Sequence, residues 1–518
     1  MDDPRLRLLG AAEAAGAGRL LAALDTLRPI VMVSPGLPPA AAGAALTLVA
    51  LLSRLFPHVQ VDGSAHAGPN PWGISDVADA PSRFRSVRPA PTTAAATDIR
   101  VSLGMSPSLC VQDPVLGIGG GDWTVRLAWE PQPLDDPSCS LRHGLGLHAG
   151  ACLAVSELLK VALVPLGMRA LMLPGSDSDS PSDPLVWNLL DYRRVPAPEI
   201  TGAQERLILS PRLLLAGVGS VGTSVAGALV FCPGLSGEAI AVDPEDFDPA
   251  RNPFRYPALS GGETGAKATW VADLLQDAGW TAEPTAADIG TWNAGRQAPG
   301  FDGIMVSSVD DLTARFEVAD VLAREVISAG VGGLAFHVQR ERLGDGWACP
   351  YCEYVPAEPT LTQSHVIAAQ VGLPVEKVIA LQIPGVLLTT ADLEASVAGG
   401  KISPETAARL VGHRLADLMA GAYAEAAIAP IGTQHDPGQP GTVAVAAPQV
   451  SWLTGVITAA ELVKTASGLP VLDRRVDIDM SGLPQGFTRR VKADASGRCA
   501  CASGIRRRWM VNLYRGRR

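Results

Sequence analysis

At 518 residues the chain exceeds one ordinary domain of roughly 150 residues, and 47% hydrophobic with only 18% charged residues mark it as globular with material for large cores. A net charge of −10 and a pI near 5.4 speak against nucleic acid or an anionic membrane as the main partner, since both reward a basic surface. Eight cysteines in such a length do not make a disulfide framework, so close pairs are read first as metal ligands.

The opening Met1-Asp2-Asp3-Pro4 is acidic where a signal peptide is basic, and the apolar stretch Ala40 to Leu52 is too short to span a bilayer, which predicts a cytoplasmic protein. Pro29 to Val33 reads as a buried strand, Ser34 to Pro39 as a loop, Ala40 to Leu55 as a helix and Val59 to Val61 as a second strand, a βαβ start. Residues 64 to 98, rich in Pro, Ala and Ser, read as irregular connections. Gly117-Ile118-Gly119-Gly120-Gly121-Asp122-Trp123 mimics a phosphate loop, but no helix pattern follows it, and it is assigned to a turn before a strand from Trp123 to Ala128. A helix closes with Ala154 to Lys160, and the polar, Pro-containing run after Arg193 places a domain boundary between 193 and 205.

A second βαβ start follows. Arg212 to Ala216 is its strand, Gly217-Val218-Gly219-Ser220-Val221-Gly222 its loop, Thr223 to Val230 its helix and Glu238 to Val242 its next strand. Glycines at 217, 219 and 222 allow a tight turn and close approach of backbone to phosphate, and the following helix N-terminus favours negative charge. Asp243 ends the next strand about twenty residues on, where a carboxylate can accept from ribose hydroxyls. Beyond it come Asp246, Asn252-Pro253-Phe254-Arg255-Tyr256 and Gly265-Ala266-Lys267. Gly303 to Asp310 then reads as a strand ending in a carboxylate, with Arg315 five residues later. The helix Thr458 to Lys464 echoes Ala154 to Lys160, so both halves begin and end alike, the mark of an internal duplication. In the first half the loop Ser34 to Pro39 lacks the glycine pattern, and its prolines remove N–H groups that a phosphate would need.

This ordered set resembles the ThiF/MoeB/HesA and ubiquitin-activating family of adenylyltransferases, over about Arg206 to Ser503. The family carries a glycine loop, an acidic pair after the second strand, an Asn followed three residues later by Arg, a Gly-x-Lys, and a strand-terminal Asp with a following Arg. Two positions depart from its pattern. Asp243 and Asp246 stand one residue further apart than the usual Asp-x-Asp, and Tyr256 replaces a common Gln. The resemblance implies ATP as cofactor, with Gly217, Gly219, Gly222, Asp243, Asp246 and Asn252 binding the nucleotide. Asp243 would hold ribose, Asn252, Arg255 and Lys267 would line the phosphates, and Asp310 would hold Mg²⁺. The chemistry implied is activation of a carboxylate, the C-terminus of a ubiquitin-like protein or peptide, as an acyl-adenylate. Two readings from other classes share the same turn: an NAD(P)-dependent oxidoreductase, and a non-catalytic peptide-binding scaffold.

Cys349-Pro350-Tyr351-Cys352 and Cys499-Ala500-Cys501 are close cysteine pairs that can together complete a tetrahedral Zn²⁺ site, and the family has such a structural zinc staple. No cysteine lies between Cys352 and Cys499, where thioester-forming members often keep their nucleophile, so adenylation without a thioester at that place is predicted. Cys152 and Cys232 read as small core residues.

The fold expected is α/β, a doubly wound Rossmann-like sheet in the C-terminal half with a degenerate related α/β domain at the N-terminus. The boundaries expected are 1–200 and 201–518, with a helical insertion at about 355–441 containing Val375 to Gln382 and Pro404 to Ala420. Related enzymes pair an active with an inactive half, or two identical subunits, leaving a homodimer or an intrachain pseudo-dimer open. Arg193, Arg194, Arg5 and Arg7 are candidates for an arginine reaching across such an interface.

Overall fold

The computed structural model describes residues 21–89, 97–103, 115–129, 141–163, 173, 184–198, 207–249, 252–310, 312–342, 345, 347–349, 352, 355, 363–383, 385–426, 446–484, 486, 488–497, 499, 501 and 504–514. The strands of the first half are β1 (Leu27–Val33), β2 (Gln60–Asp62), β3 (Thr97–Leu103), β4 (Val115–Gly120), β5 (Thr124–Trp129) and β6 (Leu185–Asn188). Those of the second are β7 (Leu207–Ala216), β8 (Leu235–Val242), β9 (Thr281–Thr285), β10 (Phe301–Ser307), β11 (Ala323–Gly332), β12 (Ala335–Arg342), β13 (Arg475–Asp479) and β14 (Thr488–Arg489). The helices that matter below are α1 (Pro39–Leu55), α2 (Leu145–Leu163), α3 (Ser220–Val230), α4 (Asn252–Arg255), α5 (Lys267–Asp277), α6 (Leu312–Asp320) and α7 (Pro448–Ser467).

The C-terminal sheet has the order β14-β13-β12-β11-β10-β7-β8-β9. Strands β9, β8, β7, β10 and β11 run parallel and the last three antiparallel. The chain leaves β7 to one side and returns at β10 on the other, so the carboxyl ends of β7 and β10 flank a topological switch point, where open α/β sheets bind ligands. Within β7 the ladder to β8 shifts register between Leu209 and Leu213. Pro211 has no N–H to give, and a bulge absorbs it.

The N-terminal sheet has the order β2-β1-β3-β4-β5-β6. Its first four strands are parallel and the last two antiparallel. Setting β9 and β14 aside, this matches β8-β7-β10-β11-β12-β13 strand for strand and sense for sense. The two halves thus share one topology, as their matching starts and ends suggested.

The repeat extends to side chains. In each half a long helix lies between the two antiparallel strands, α2 and α7. Each carries a buried Glu–Lys ion pair one turn apart, Glu157 with Lys160 and Glu461 with Lys464. Each glutamate also accepts a backbone N–H from beyond its helix, Leu173 N at 3.1 Å and Leu472 N at 2.7 Å. In the second copy Arg340 joins at 3.0 Å and Tyr192 donates its hydroxyl at 2.6 Å, pinning the segment that leaves the first half. Removing either partner from so buried a pair would leave an uncompensated charge, which is strongly destabilising.

Helices α1 and α2 are apolar all round because both are core elements. By length and composition α2 could cross a membrane, yet 94% of that window is buried inside the protein. Pro38 and Pro39 open α1, where a missing N–H costs nothing. The run Gly117 to Trp123 forms the end of β4 and a hairpin turn into β5, not a phosphate loop.

The described residues between 363 and 426 form a separate compact unit of short helices. Leu373, Val378, Leu393, Ile402 and Leu418 lie in its core. Val375–Leu381 matches the expected helix, but the stretch expected from 404 to 420 is two helices, Pro404–Leu410 and Leu415–Ala426. Gly412, with φ +78, makes the break.

Candidate functional site

The site is built on the turn after β7. Gly217 sits at φ +79, a conformation that strains any other residue, and its N–H donates to Val242 O at 2.9 Å. A Cβ added there would come within 3.1 Å of Val309 Cγ1, just past β10. The turn is tied to β10 again by Ser308, whose hydroxyl donates to Gly217 O at 2.7 Å. Gly219 is the N-cap of α3 and offers no side-chain cap. Ser220 Oγ turns instead to Arg255 O and Ser451 Oγ, both at 2.7 Å. The first N–H groups of α3 therefore have no capping side chain, the arrangement that suits an anion. A Cβ at Gly222 would run into the Gly217 carbonyl and lie 3.1 Å from Ser308 Oγ. Gly222→Ala is expected to push the turn off β10 and weaken nucleotide binding at least tenfold, read by calorimetric titration, with only a small loss in melting temperature.

Asp243 follows β8 and is buried. Its two oxygens accept from Val218 N at 2.7 Å and Glu245 N at 2.9 Å, which clamps the glycine turn to the acidic loop. Each oxygen keeps a further lone pair. Burial pushes this carboxyl above its usual range, while the two N–H groups and Lys267 pull it back. Lys267 opens α5, is itself buried and pairs with Glu245, with its ammonium 5.5 Å from the centroid of the Tyr256 ring. Burial works against that charge, but Tyr256, Glu245 and Asp243 outweigh it and hold the ammonium above its ordinary range.

The acidic residue facing Lys267 is thus Glu245, not Asp246. Asp246 is exposed, and its backbone forms an isolated bridge with Ala266. Counted to Glu245, the loop has the Asp-x-acid spacing that counting to Asp246 missed.

Asn252 and Arg255 are the ends of the single-turn helix α4. Asn252 is buried and spends its side-chain oxygen on Asp248 N at 2.7 Å, closing the loop that presents Arg255. Arg255 is half-buried, and its Nε has no hydrogen-bond partner among the described residues. Tyr256, next along, places its hydroxyl 3.6 Å from where a Cβ on Gly219 would stand. Behind this segment lie side chains from the N-terminal half. Arg54 of α1 is fully buried and donates to Pro253 O at 2.9 Å, to Tyr256 O at 3.2 Å and to Leu259 O. Trp72 Nε1 donates to Pro257 O at 3.0 Å.

Asp310 leaves the end of β10 one residue after Val309 and is exposed. The glycine turn is thus tied directly to Asp243, to the Arg255 carbonyl and to the end of β10, and through Asp243 and Glu245 to Lys267. Arg315, on α6, lies close enough to His337 to act on its charge. Arg193 and Arg194 are exposed, Arg193 beside Asp191, and Arg5 and Arg7 lie outside the described residues.

The four cysteines Cys349, Cys352, Cys499 and Cys501 converge, with their sulfurs within 4.8 Å of one another. Cys349 Sγ is 3.8 Å from Cys352 Sγ and 3.4 Å from Cys499 Sγ. Cys501 Sγ is 3.4 Å from Cys352 Sγ and 3.5 Å from Cys499 Sγ. These are too long for disulfides, near 2.05 Å, and close to the ~3.8 Å edge of a tetrahedron with Zn–S bonds of ~2.3 Å. The donor set fits zinc. Cys152 and Cys232 are buried core thiols, raised above their usual range by burial.

Sequence reasoning missed Glu245, Arg54, Ser220 and Gln449. Ser220 stands inside the glycine loop, where only the glycines draw attention. Gln449 opens α7 two residues before Ser451, fully buried, with neither end of its amide paired among the described residues.

No protein-family model matches the chain. Among curated proteins, uncharacterized protein y4jF of Sinorhizobium fredii (strain NBRC 101917 / NGR234) is 27% identical over 396 residues, spanning 74% of this chain and 72% of that one. Among solved structures, E. coli MccB with MccA-N7isoASN is 14% identical at a TM-score of 0.33, covering 57% of this chain and 67% of MccB. E. coli MccB with ATP is 12% identical over the same shares, also at 0.33. Likenesses this distant do not establish a common function, and what the site can do is read from its own residues.

Proposed function

We propose that this protein is an ATP-dependent adenylyltransferase that activates a carboxylate, the C-terminus of a peptide or small protein, as an acyl-adenylate. The observation that supports the reading is an uncapped glycine turn tied to a buried aspartate, Asp243, and to the main chain of the segment that carries Arg255, at the switch point after β7. In this reading the turn from Gly217 to Gly222 takes the phosphates on backbone N–H groups, and the free lone pairs of Asp243 take the ribose. Asn252, Arg255 and Lys267 line the triphosphate, and Lys267 exchanges Glu245 for it. Asp310 would hold Mg²⁺, which when bound supplies positive charge against the phosphates.

A carboxylate oxygen attacks the α-phosphorus and the bond to pyrophosphate breaks, giving acyl-adenylate and pyrophosphate. Negative charge grows on the α-phosphate and on the departing pyrophosphate. Arg255 and Lys267 stabilise it because they are held in place before the reaction. The Cys349, Cys352, Cys499 and Cys501 cluster would hold a structural Zn²⁺ with no open position. With no cysteine between Cys352 and Cys499, the adenylate passes onward without a thioester at that place.

Radiolabelled pyrophosphate should exchange into ATP when a peptide with a free C-terminal carboxylate is added, and should not when that carboxylate is amidated. Exchange equal with both peptides, or reduction of NAD(P)⁺ in its place, would remove the proposal.

A further inference from the structure

The N-terminal half keeps no phosphate turn, yet its helix α1 ends under the phosphate-side loop of the other half. We propose that Arg54 is a positioning residue for nucleotide binding: from behind, its guanidinium grips the segment that carries Arg255 and Tyr256 and sets their bearing on the glycine turn. The assignment rests on the nucleotide reading above.

The geometry is that of a claw. Nε donates to Pro253 O at 2.9 Å, Nη2 to Tyr256 O at 3.2 Å and to Leu259 O, and Nη1 back to Ala50 O in its own helix at 2.5 Å. Helix α4 has only one turn; Asn252 O accepts the Tyr256 N–H at 2.8 Å and Tyr256 O the Leu259 N–H at 3.0 Å, while Pro253 O is met by Arg54. A planar fork spreads five donors over three nitrogens and so reaches carbonyls on both sides of it, whereas the three donors of an ammonium all leave one atom. The cation is wholly buried and no carboxylate reaches its nitrogens among the described residues. Glu263 acts on it only through space, and its carboxylate is spent on Ser260 N at 2.7 Å and Gly261 N at 2.8 Å.

A buried charge compensated by carbonyls costs more than an apolar side chain filling the same volume. A residue of this kind serves placement of what it holds rather than bulk stability. What it places is on the opposite face of the same segment. Arg255 O accepts from Ser220 Oγ at the turn, Arg255 Nε is buried without a partner among the described residues, and the Tyr256 hydroxyl stands over Gly219. The half that lost its own turn thereby acts as the strut for the other's.

The test uses the full-length protein. Arg54→Lys keeps the charge but loses the fork, and it should weaken ATP binding about tenfold or more by calorimetry. The KM for ATP should rise more than kcat falls, and hydrogen exchange over 252–260 should quicken. Trp72→Phe removes a different hydrogen bond to the same segment, at Pro257, and should leave ATP affinity within about twofold. Should Arg54→Lys fail to fold, wild-type exchange decides: ATP should slow it in the last turn of α1, residues 51–55, together with 217–222. ATP affinity in Arg54→Lys equal to wild type, an equal loss in Trp72→Phe, or protection of 217–222 with none in α1 would overturn the assignment while leaving the nucleotide reading intact. Wild-type protein that binds no ATP would overturn both.

Discussion

Arg255→Ala should lower carboxylate-dependent pyrophosphate exchange by roughly 100- to 1000-fold, the loss expected when one placed stabiliser of transition-state charge is removed. Arg255 is half-buried on a one-turn helix whose main chain is held by Ser220 and Arg54. Truncating its side chain therefore leaves the loop in place. Asp310→Ala should give a loss of the same order. Asp310 is exposed, and removing an exposed carboxylate changes stability by about 0.5 kcal/mol or less. Its loss of activity should therefore appear with an unchanged melting temperature, and high Mg²⁺ should restore part of the exchange in Asp310→Ala but none in Arg255→Ala. Exchange persisting within a few-fold of wild type in both variants would end the adenylation proposal.

The second large effect is on stability. Cys349 and Cys499 stand 150 residues apart in the chain, and a metal joining their pairs closes that loop. By analogy with a disulfide, closing a loop of more than ~100 residues contributes about 4–5 kcal/mol through the unfolded state. At ~1.5 °C per kcal/mol for a domain of about 300 residues, Cys499→Ser should lower the melting temperature by roughly 5–10 °C and abolish the zinc signal in elemental analysis. A strong chelator should reproduce the shift in the wild-type protein, and a reductant should not. A full zinc complement in Cys499→Ser, or none in wild-type protein, would remove the metal assignment. Below the new melting temperature exchange activity should survive, because none of the turn residues is among the four metal-ligating sulfurs.

Much of this was legible in the sequence because it depends on local rules. A strand followed by glycines and a helix sets the turn, and Cys-x-x-Cys with Cys-x-Cys sets the sulfur cluster. Other features depend on where the chain returns. Between Asp243 and Asp246 the sequence offers several acids. Glu245 is the one that meets Lys267, while Asp246 is exposed and its backbone bridges to Ala266. Arg54 looks like the last-turn cation of an Ala- and Leu-rich helix, and only the packing of the two halves turns it inward. The helix expected from 404 to 420 breaks at Gly412, a single glycine that the apolar periodicity runs across. The shared topology was foreshadowed by Glu157 with Lys160 and Glu461 with Lys464, yet nothing in their spacing foretold that each glutamate would also cap a distant backbone N–H.

The two halves meet through aromatic side chains. Trp72 stacks on Trp452 at 5.5 Å, and the Phe231 ring lies 4.2 Å from His148 and closes on Gly43. In a protein assembled from two identical subunits such a contact forms only by collision and comes apart on dilution. Here both halves belong to one chain, so dilution does not separate them, and a mutation in either copy acts once per chain, not twice.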